Sequence, residues 1–572
     1  MSETTGGALL AETLHTLGVR DVFTLHGGHL DTFLVACPGV GIRLIDVRHE
    51  ASAGHAAEAY ARLKPGEVGV AVVTAGPGFT NALTAMANAF LNGVPTLFIG
   101  GAPPMSEEAT NELQGTIHQV AMATPVTKWA HRIASLERLP DLVEKAMRVA
   151  RSGRPGPVYL EVPINLMFGR AAKVFFPVAA GRPANSRPAP SKADAMRVLD
   201  VLSRAERPLI IAGTGTVLSG ASAALQKFVE ATGIPVATNS KAHGVLPTTH
   251  HAYVGSLGAV AGTRADGLSA DVVVLAGARA GLLTGGRSGS IIPKDATLVQ
   301  IDIEGGEMGR IQPVDVPIVA DCAAAFNALL EYVGEYEWPA RKDWVAALQS
   351  HRDTDRAFAE APKVSNAGAI HPYHAAKSVF DAMSELAIVA IDGGEVTAWC
   401  EPHNKVSAPG CYLTTGYLGT LGVGPGFAIG AAIACPDRPV FLVSGDGAIG
   451  FNIQEFDTMV RHNLPIVTVV MNNACWGISK SAQDLIFGEN LRSTVMLNET
   501  AYEKVSEGFG CYGERVTAPE EIGPAIDRAL KSKRPACINI VTDQNVMHPI
   551  SYGMAGADPK KGKITMPYYQ NE

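Results

Sequence analysis

Asp446, set between Gly445 and Gly447, and the pair Asn472-Asn473 are the residues whose types and spacing point most directly to chemistry, with 24 residues between Gly447 and Asn472. A carboxylate and a side-chain amide oxygen are hard ligands that suit a cation such as magnesium, and such a cation can hold a diphosphate. The backbone amides of Gly447 and Ala448, near a helix start, add donors for an anion. Taken singly, the glycine-flanked aspartate is an ordinary strand–helix turn and the asparagine pair an ordinary strand end. Together, across an apolar strand–helix–strand pattern, they read as a metal and diphosphate site.

The elements that must position these groups are legible around them. Residues 440–444 read as a buried strand, Gly445-Asp446-Gly447 as a sharp turn, and the next segment as a helix with Ile453, Phe456 and Val460 on one face. Asn463 can end that helix, and Pro465 prevents its continuation. Residues 465–471 form a second apolar strand. A right-handed crossover then brings Asp446 and Asn473 to the carboxyl ends of parallel strands.

Two further groups stand out near the amino end. Glu50 lies in Asp46-Val-Arg-His-Glu50-Ala-Ser-Ala-Gly-His, after a short strand and at the opening of a small-residue helix. Taken in isolation, a glutamate there more often complements the helix dipole at the surface. His29, in Leu25-His-Gly-Gly-His29, is divided between local hydrogen bonding and proton transfer. Glycine-rich turns also occur around Gly76, in Val73-Thr-Ala-Gly-Pro-Gly-Phe79, and around Gly419, in Gly416-Tyr-Leu-Gly-Thr-Leu421.

The chain has 572 residues, 47% of them hydrophobic and 18% charged, enough for about three α/β domains. Short β-rich runs alternate with helical stretches in each of three segments, which predicts parallel sheets flanked by helices. The expected boundaries are 1–177, 191–335 and 370–545, with a linker over 178–190 and a tail of no clear period at 546–572. A net charge of −8 argues against general nucleic-acid binding. No apolar run is long enough to span a bilayer, and no signal peptide is evident. The eight cysteines have no close paired spacing and read as reduced core residues of a cytoplasmic protein.

The motifs together resemble the signature of thiamine-diphosphate enzymes, and nearly the whole chain resembles the acetolactate synthase and benzaldehyde lyase group. The resemblance implies three domains, binding the aminopyrimidine, forming the centre, and binding the diphosphate. It implies metal coordination by Asp446, Asn473 and the backbone oxygen of Cys475, and cofactor contacts at Gly394, Glu395, Gly445, Gly447, Ala448, Gly477 and Ile478. Glu50 is then the carboxyl group that hydrogen-bonds the aminopyrimidine and favours the imino tautomer able to remove the C2 proton. Gly76 belongs to the pyrimidine side. The Gly419 backbone oxygen receives the 4′-amino group, and Leu421 is the wedge that bends the cofactor. His29 and Gln114, in Thr110-Asn-Glu-Leu-Gln114, match pocket residues that handle protons and line the substrate site.

Departures narrow the choice within the group. Thr397 replaces the pocket tyrosine of benzaldehyde lyase, and Ile478 is bulkier than the small residue expected there. Asp392-Gly-Gly-Glu395 and the tail from His548-Pro549 through Lys560, Lys561, Lys563, Tyr568 and Tyr569 resemble 2-hydroxyacyl-CoA lyases and oxalyl-CoA decarboxylase. The tail is then either a lid over a CoA thioester or a solvated end. Glu489 is a candidate second acid–base group. Gly277-Ala-Arg279 is shared with FAD-binding acetolactate synthases, but the run to Arg287 is closer to the flavin-free lyase, so no functional FAD is expected. The expected activity is cleavage of a 2-hydroxyacyl-CoA to formyl-CoA and an aldehyde or ketone, by a homodimer or homotetramer. The alternatives are an acyloin lyase or carboligase, a decarboxylating ligase like acetolactate synthase, and a non-catalytic thiamine-binding subunit.

Overall fold

In the computed structural model, which describes residues 3–108, 110–172, 181, 186–352, 356–365, 368–558 and 563–564, the chain builds three six-stranded sheets. Every strand pairing within them is parallel. The residues group into two compact bodies. One comprises 1–186 with 415–437 and 451–466, and the other comprises 187–414 with 438–450 and 467–572. Two crossover segments of the expected third domain, 415–437 and 451–466, thus group with the first. Among the described residues, no helix is long and apolar enough to cross a membrane.

The first body's sheet runs in the order Arg43–Asp46, Asp21–Thr24, Gly69–Val73, Thr96–Ala102, Val158–Pro163, Ala130–Arg132. Its central strands are buried at every position, as parallel strands covered on both faces must be. Val70, Val72, Leu97 and Ile99 share a core with Leu10, Leu14, Leu142 and Val143 from the helices Gly6–Thr16 and Leu139–Arg151. Phe98 alternates to the other face, where the helix Glu50–Leu63 covers it. That helix is buried from Glu50 to Arg62, which explains its alanine and glycine content. Small residues let it meet the equally buried helix Val423–Ala434 closely: a Cβ on Gly430 would lie 2.2 Å from the Ala56 carbonyl oxygen.

In the second body, one sheet is ordered Tyr253–Ser256, Val236–Thr238, Pro208–Ala212, Val272–Ala276, Thr297–Asp302, Val316–Val319. The other is ordered Tyr412–Thr414, Ile388–Asp392, Val440–Gly445, Val467–Asn472, Ala536–Val541, Tyr512–Val516. Numbered along the chain, this last sheet has the order 2-1-3-4-6-5, and so does the sheet of the first body. Both change direction between their first and third strands. Such a switch opens a crevice at the carboxyl ends of the two strands, where ligands of open α/β sheets bind.

Two local expectations change. The helix expected after Gly447 is divided into Asp446–Ile449 and Glu455–Arg461, so Ile453 precedes the second piece. The Asn452 side chain there donates to the Gly422 carbonyl (2.7 Å), tying down the intervening turn. Asn463 stands at φ 52° just past the helix, as a terminating residue can. The tail contains a helix, Ile550–Ala555, and a short antiparallel pair of Ala557–Asp558 with Lys563–Ile564. Lys560, Lys561, Tyr568 and Tyr569 lie outside the described residues, as do the Lys563 side chain and most of the linker. The eight cysteines are free, and all but Cys435 are buried.

Candidate active site

The switch point of the first body gathers most of the expected groups on that side. Glu50, 7% exposed, is the first residue of its helix, behind His49, whose Nδ1 accepts from the Ala51 amide (3.2 Å). Its Oε2 accepts from Asn81 Nδ2 at 3.0 Å. Its Oε1 lies 3.5 Å from where a Cβ on Gly78 would stand. The loop after Asp21–Thr24 delivers His29, whose Nδ1 is 3.4 Å from Thr74 Oγ1. Burial lowers the His29 pKa, favouring a neutral imidazole. His26 lies apart, paired with Asp31 at 2.9 Å.

Gly76 turns at φ 61°, a conformation that strains any other residue, and a Cβ there would be 3.0 Å from the Gln114 Cβ. Gln114 itself has φ 59°, with Asn111 and Thr116 also at positive φ, so the loop presenting it is held in a conformation that side chains disfavour. Gln119, not singled out by sequence, holds this corner together. Its Oε1 accepts from the Gly76 amide (2.8 Å), and its Nε2 donates to the Gly101 carbonyl (2.9 Å) and to Glu161 Oε2 (2.9 Å). Gly419, at φ 66°, closes a turn onto the Gly416 carbonyl (2.9 Å), and Leu421 is half-buried beside it.

In the second body, three adjacent strands end just before three of the expected groups: Asp446 and Asn473 follow Val440–Gly445 and Val467–Asn472 directly, and Glu395 lies in the first turn of the helix that follows Ile388–Asp392. Asp392 pairs with Ser444, and Gly445 pairs with Met471, so their carboxyl ends are level. Asp446 is 2% exposed, and its Oδ2 has no hydrogen-bond partner among the described residues. Burial pushes its pKa up to about 6, against the amides of Gly447, Ala474 and Cys475, which favour the anion. The Tyr502 hydroxyl donates to the Asp446 carbonyl (3.0 Å), fixing the turn. Asn473 Oδ1 accepts from the Cys475 amide (3.3 Å) across Ala474, which stands at φ 53°. Asn472 braces the turn, accepting from the Ala474 amide (3.2 Å) and donating to the Thr500 carbonyl (3.0 Å).

Glu395 is buried, and burial raises its pKa. Its Oε1 accepts from the His548 amide (2.9 Å) and lies 3.4 Å from Ser551 Oγ. Gly477 must lack a side chain, because a Cβ would stand 2.3 Å from Glu395 Oε2. Ile478 reaches back over Gly394, and the Trp476 ring lies against Gly447. Ala448 is buried within the short helix after Asp446. Glu489 stands apart from this group among the described residues, its side chain 76% exposed and 3.3 Å from Arg492.

The donor set fits a hard cation. A buried carboxylate oxygen without a partner is costly unless something pairs with it. Among the described residues, no cluster of three or more His, Cys, Asp or Glu side chains could hold a metal. The oxygens that stand near these strand ends are carboxylate, side-chain amide and peptide oxygens, donors that suit magnesium.

Comparison with known proteins agrees with this arrangement along the chain. Residues 4–122 match the thiamine pyrophosphate enzyme N-terminal TPP binding domain, 195–329 the central domain, and 392–540 the C-terminal TPP binding domain. The acetolactate synthase large subunit IlvG of Mycobacterium tuberculosis is 34% identical, over 95% of this chain and 96% of that protein. The human 2-hydroxyacyl-CoA lyase 2 is 32% identical, over 89% of this chain and 84% of the relative. The oxalyl-CoA decarboxylase of Escherichia coli is 31% identical, over 94% and 95%.

Proposed function

The chain belongs to the thiamine pyrophosphate enzymes, acting on carbon–carbon bonds, and from that premise we propose that it is a 2-hydroxyacyl-CoA lyase, releasing formyl-CoA and an aldehyde or ketone. The observation that carries this choice is the bond between the His548 amide and Glu395 Oε1 (2.9 Å). The Asp392–Glu395 turn and the start of the tail are two segments that resemble such lyases, and they are bonded to each other. The lyase-named relatives, aligned over most of the chain, support it as well.

The cofactor, when bound, supplies a carbon nucleophile that holds the electron pair of the broken bond. On this reading Asp446, Asn473 and the Cys475 carbonyl would hold a magnesium ion, which would supply positive charge to offset the diphosphate. The amides of Gly447 and Ala448 add donors, with Gly445, Gly394, Glu395, Gly477 and Ile478 shaping the cavity. Glu50, oriented by Asn81, would offer its carboxyl proton to the aminopyrimidine ring. The Gly419 carbonyl would accept from the cofactor's amino group, and Leu421 would pack against the cofactor. His29, neutral and turned through Nδ1 toward Thr74, takes the substrate hydroxyl proton at Nε2, while Gln114 orients that hydroxyl. Proton loss from the 2-hydroxyl accompanies cleavage to the carbonyl product. The formyl carbon is then protonated, so atoms balance without an oxidant. Glu489 serves as a further acid–base group only if its loop moves inward. The central domain is used without FAD.

A second reading, decarboxylating ligation of pyruvate, is favoured by the 34% identity to an acetolactate synthase. A donor screen separates the two. Purified enzyme with thiamine diphosphate and magnesium is offered a 2-hydroxyacyl-CoA, pyruvate and an aromatic acyloin. Formyl-CoA release from the first, with little turnover of pyruvate, supports the lyase. Carbon dioxide and acetolactate from pyruvate alone support the alternative.

A further inference from the structure

Glu455 is a fully buried carboxylate that the function above does not use. It lies 407 residues from Arg48, yet both of its oxygens accept from the Arg48 amide, at 3.1 and 3.2 Å. The Thr458 hydroxyl donates to its Oε2 at 2.6 Å. Arg48 is two residues before Glu50, so the carboxylate sits at the amino end of the helix Glu50–Leu63. The same short segment grips the chain just upstream. Arg461 Nη2 donates to the Asp46 carbonyl (2.8 Å), and His462 Nε2 is 2.9 Å from Asp46 Oδ1. These outer contacts are half exposed and worth little individually. The buried one differs. Its partners are amide and hydroxyl donors, so keeping a carboxylate there carries a desolvation cost that an apolar side chain would not. What a negative charge adds at that place is attraction to the positive end of the helix and to the amides that open it.

We propose that Glu455 is the positioning residue of Glu50: by holding the Arg48 amide against the start of the helix, it sets the direction in which the Glu50 carboxyl leaves the backbone. The proposal rests on the reading of Glu50 as the activating acid. A displacement of about 1 Å in such a group costs up to about a hundred-fold in rate without removing any contact to the ligand.

The test measures deuterium exchange at C2 of the bound cofactor, together with cofactor affinity and melting temperature. Glu455→Gln should slow exchange about ten-fold or more while cofactor affinity stays within about two-fold of wild type. Unchanged exchange overturns the proposal. A parallel loss of affinity also overturns it, because it makes Glu455 a general structural residue. If Glu455→Gln does not fold, Thr458→Val decides. It removes one donor to the carboxylate and should slow exchange measurably at unchanged affinity, and wild-type exchange overturns the proposal. Glu50→Gln runs alongside. If that variant exchanges at the wild-type rate, the reading of Glu50 fails; if it is slow while Glu455→Gln is normal, only the present inference fails.

Discussion

Asn81 Nδ2 donates a 3.0 Å hydrogen bond to Glu50 Oε2, so one oxygen of this buried carboxyl is committed before any ligand arrives. The other faces Gly78, on the edge of a glycine-rich turn. Glu50→Gln should therefore leave cofactor affinity nearly intact while slowing C2 deuterium exchange by roughly a hundred-fold or more. Asn81→Ala should slow it less, since the acid remains but is no longer aimed. Wild-type exchange in Glu50→Gln, followed by NMR in deuterated water, excludes Glu50 as activator.

Asp446→Asn separates a ligand-holding carboxylate from a structural one. The unpartnered Oδ2 costs the cofactor-free protein stability, so its melting temperature should be equal to or above wild type. The stabilisation that magnesium and thiamine diphosphate give the wild type should disappear, because a bound ligand stabilises only the form that binds it. Differential scanning fluorimetry with and without both ligands checks this. A destabilised apo variant that still responds fully to the ligands would count against the assignment.

Gln119→Leu removes a side chain that bonds the Gly76 amide, the Gly101 carbonyl and Glu161. Buried groups left unpaired cost about 1–3 kcal/mol each, so a loss of about 3 kcal/mol is expected, with impaired cofactor binding on the pyrimidine side. Urea denaturation measures the first effect and cofactor titration the second. A loss within about 0.5 kcal/mol would show that the corner holds itself.

Acid should destabilise the fold through histidines buried as neutral rings. Burial lowers the pKa of His403 and of His548 to about 4, and that of His55 to about 3. Unfolded, each binds a proton near 6.5, so the unfolded state takes up more protons between that value and the folded pKa. Their contribution is complete above about pH 6.5 and is lost as pH falls through 4. Asp446 acts in the opposite sense, its raised pKa favouring the folded state below about 6. Burial raises Glu395 and Glu455 in the same way as Asp446, but among the described residues seven histidines are lowered by burial against these three carboxylates, so stability should fall from pH 6.5 to 4, and His548→Asn should flatten the fall. A pH-independent melting temperature over that interval would contradict this.

If, as the resemblance to thiamine-diphosphate enzymes implies, the aminopyrimidine and the diphosphate are held by domains of different subunits, the catalytic unit should be at least a dimer. Sedimentation should find active enzyme only in oligomeric fractions, and a fully active monomer would refute it.

Much of this was legible in the sequence because the signals are local. The strands Val440–Gly445 and Val467–Asn472 fall within two residues of the apolar runs 440–444 and 465–471, and Asn463 and Pro465 mark a helix end. Asp446 and Asn473 were legible because each follows its strand directly, and Glu395 only through the resemblance of Asp392-Gly-Gly-Glu395. Gln119 was not, since its partners lie 18 to 43 residues away and no periodicity records them. Glu455 was hidden for the same reason across 407 residues. The helix Ile550–Ala555 is too short, with Gly553 inside it and Gly556 at its end, to show a period.

The most direct measurement of the central claim is mass spectrometry of the thioester product formed from a 2-hydroxyacyl-CoA in deuterated water with thiamine diphosphate and magnesium. The account predicts formyl-CoA carrying one deuterium on the formyl carbon, together with the aldehyde or ketone, and no product without the cofactor. Free CoA with intact 2-hydroxy acid, or formyl-CoA formed without thiamine diphosphate, would contradict it.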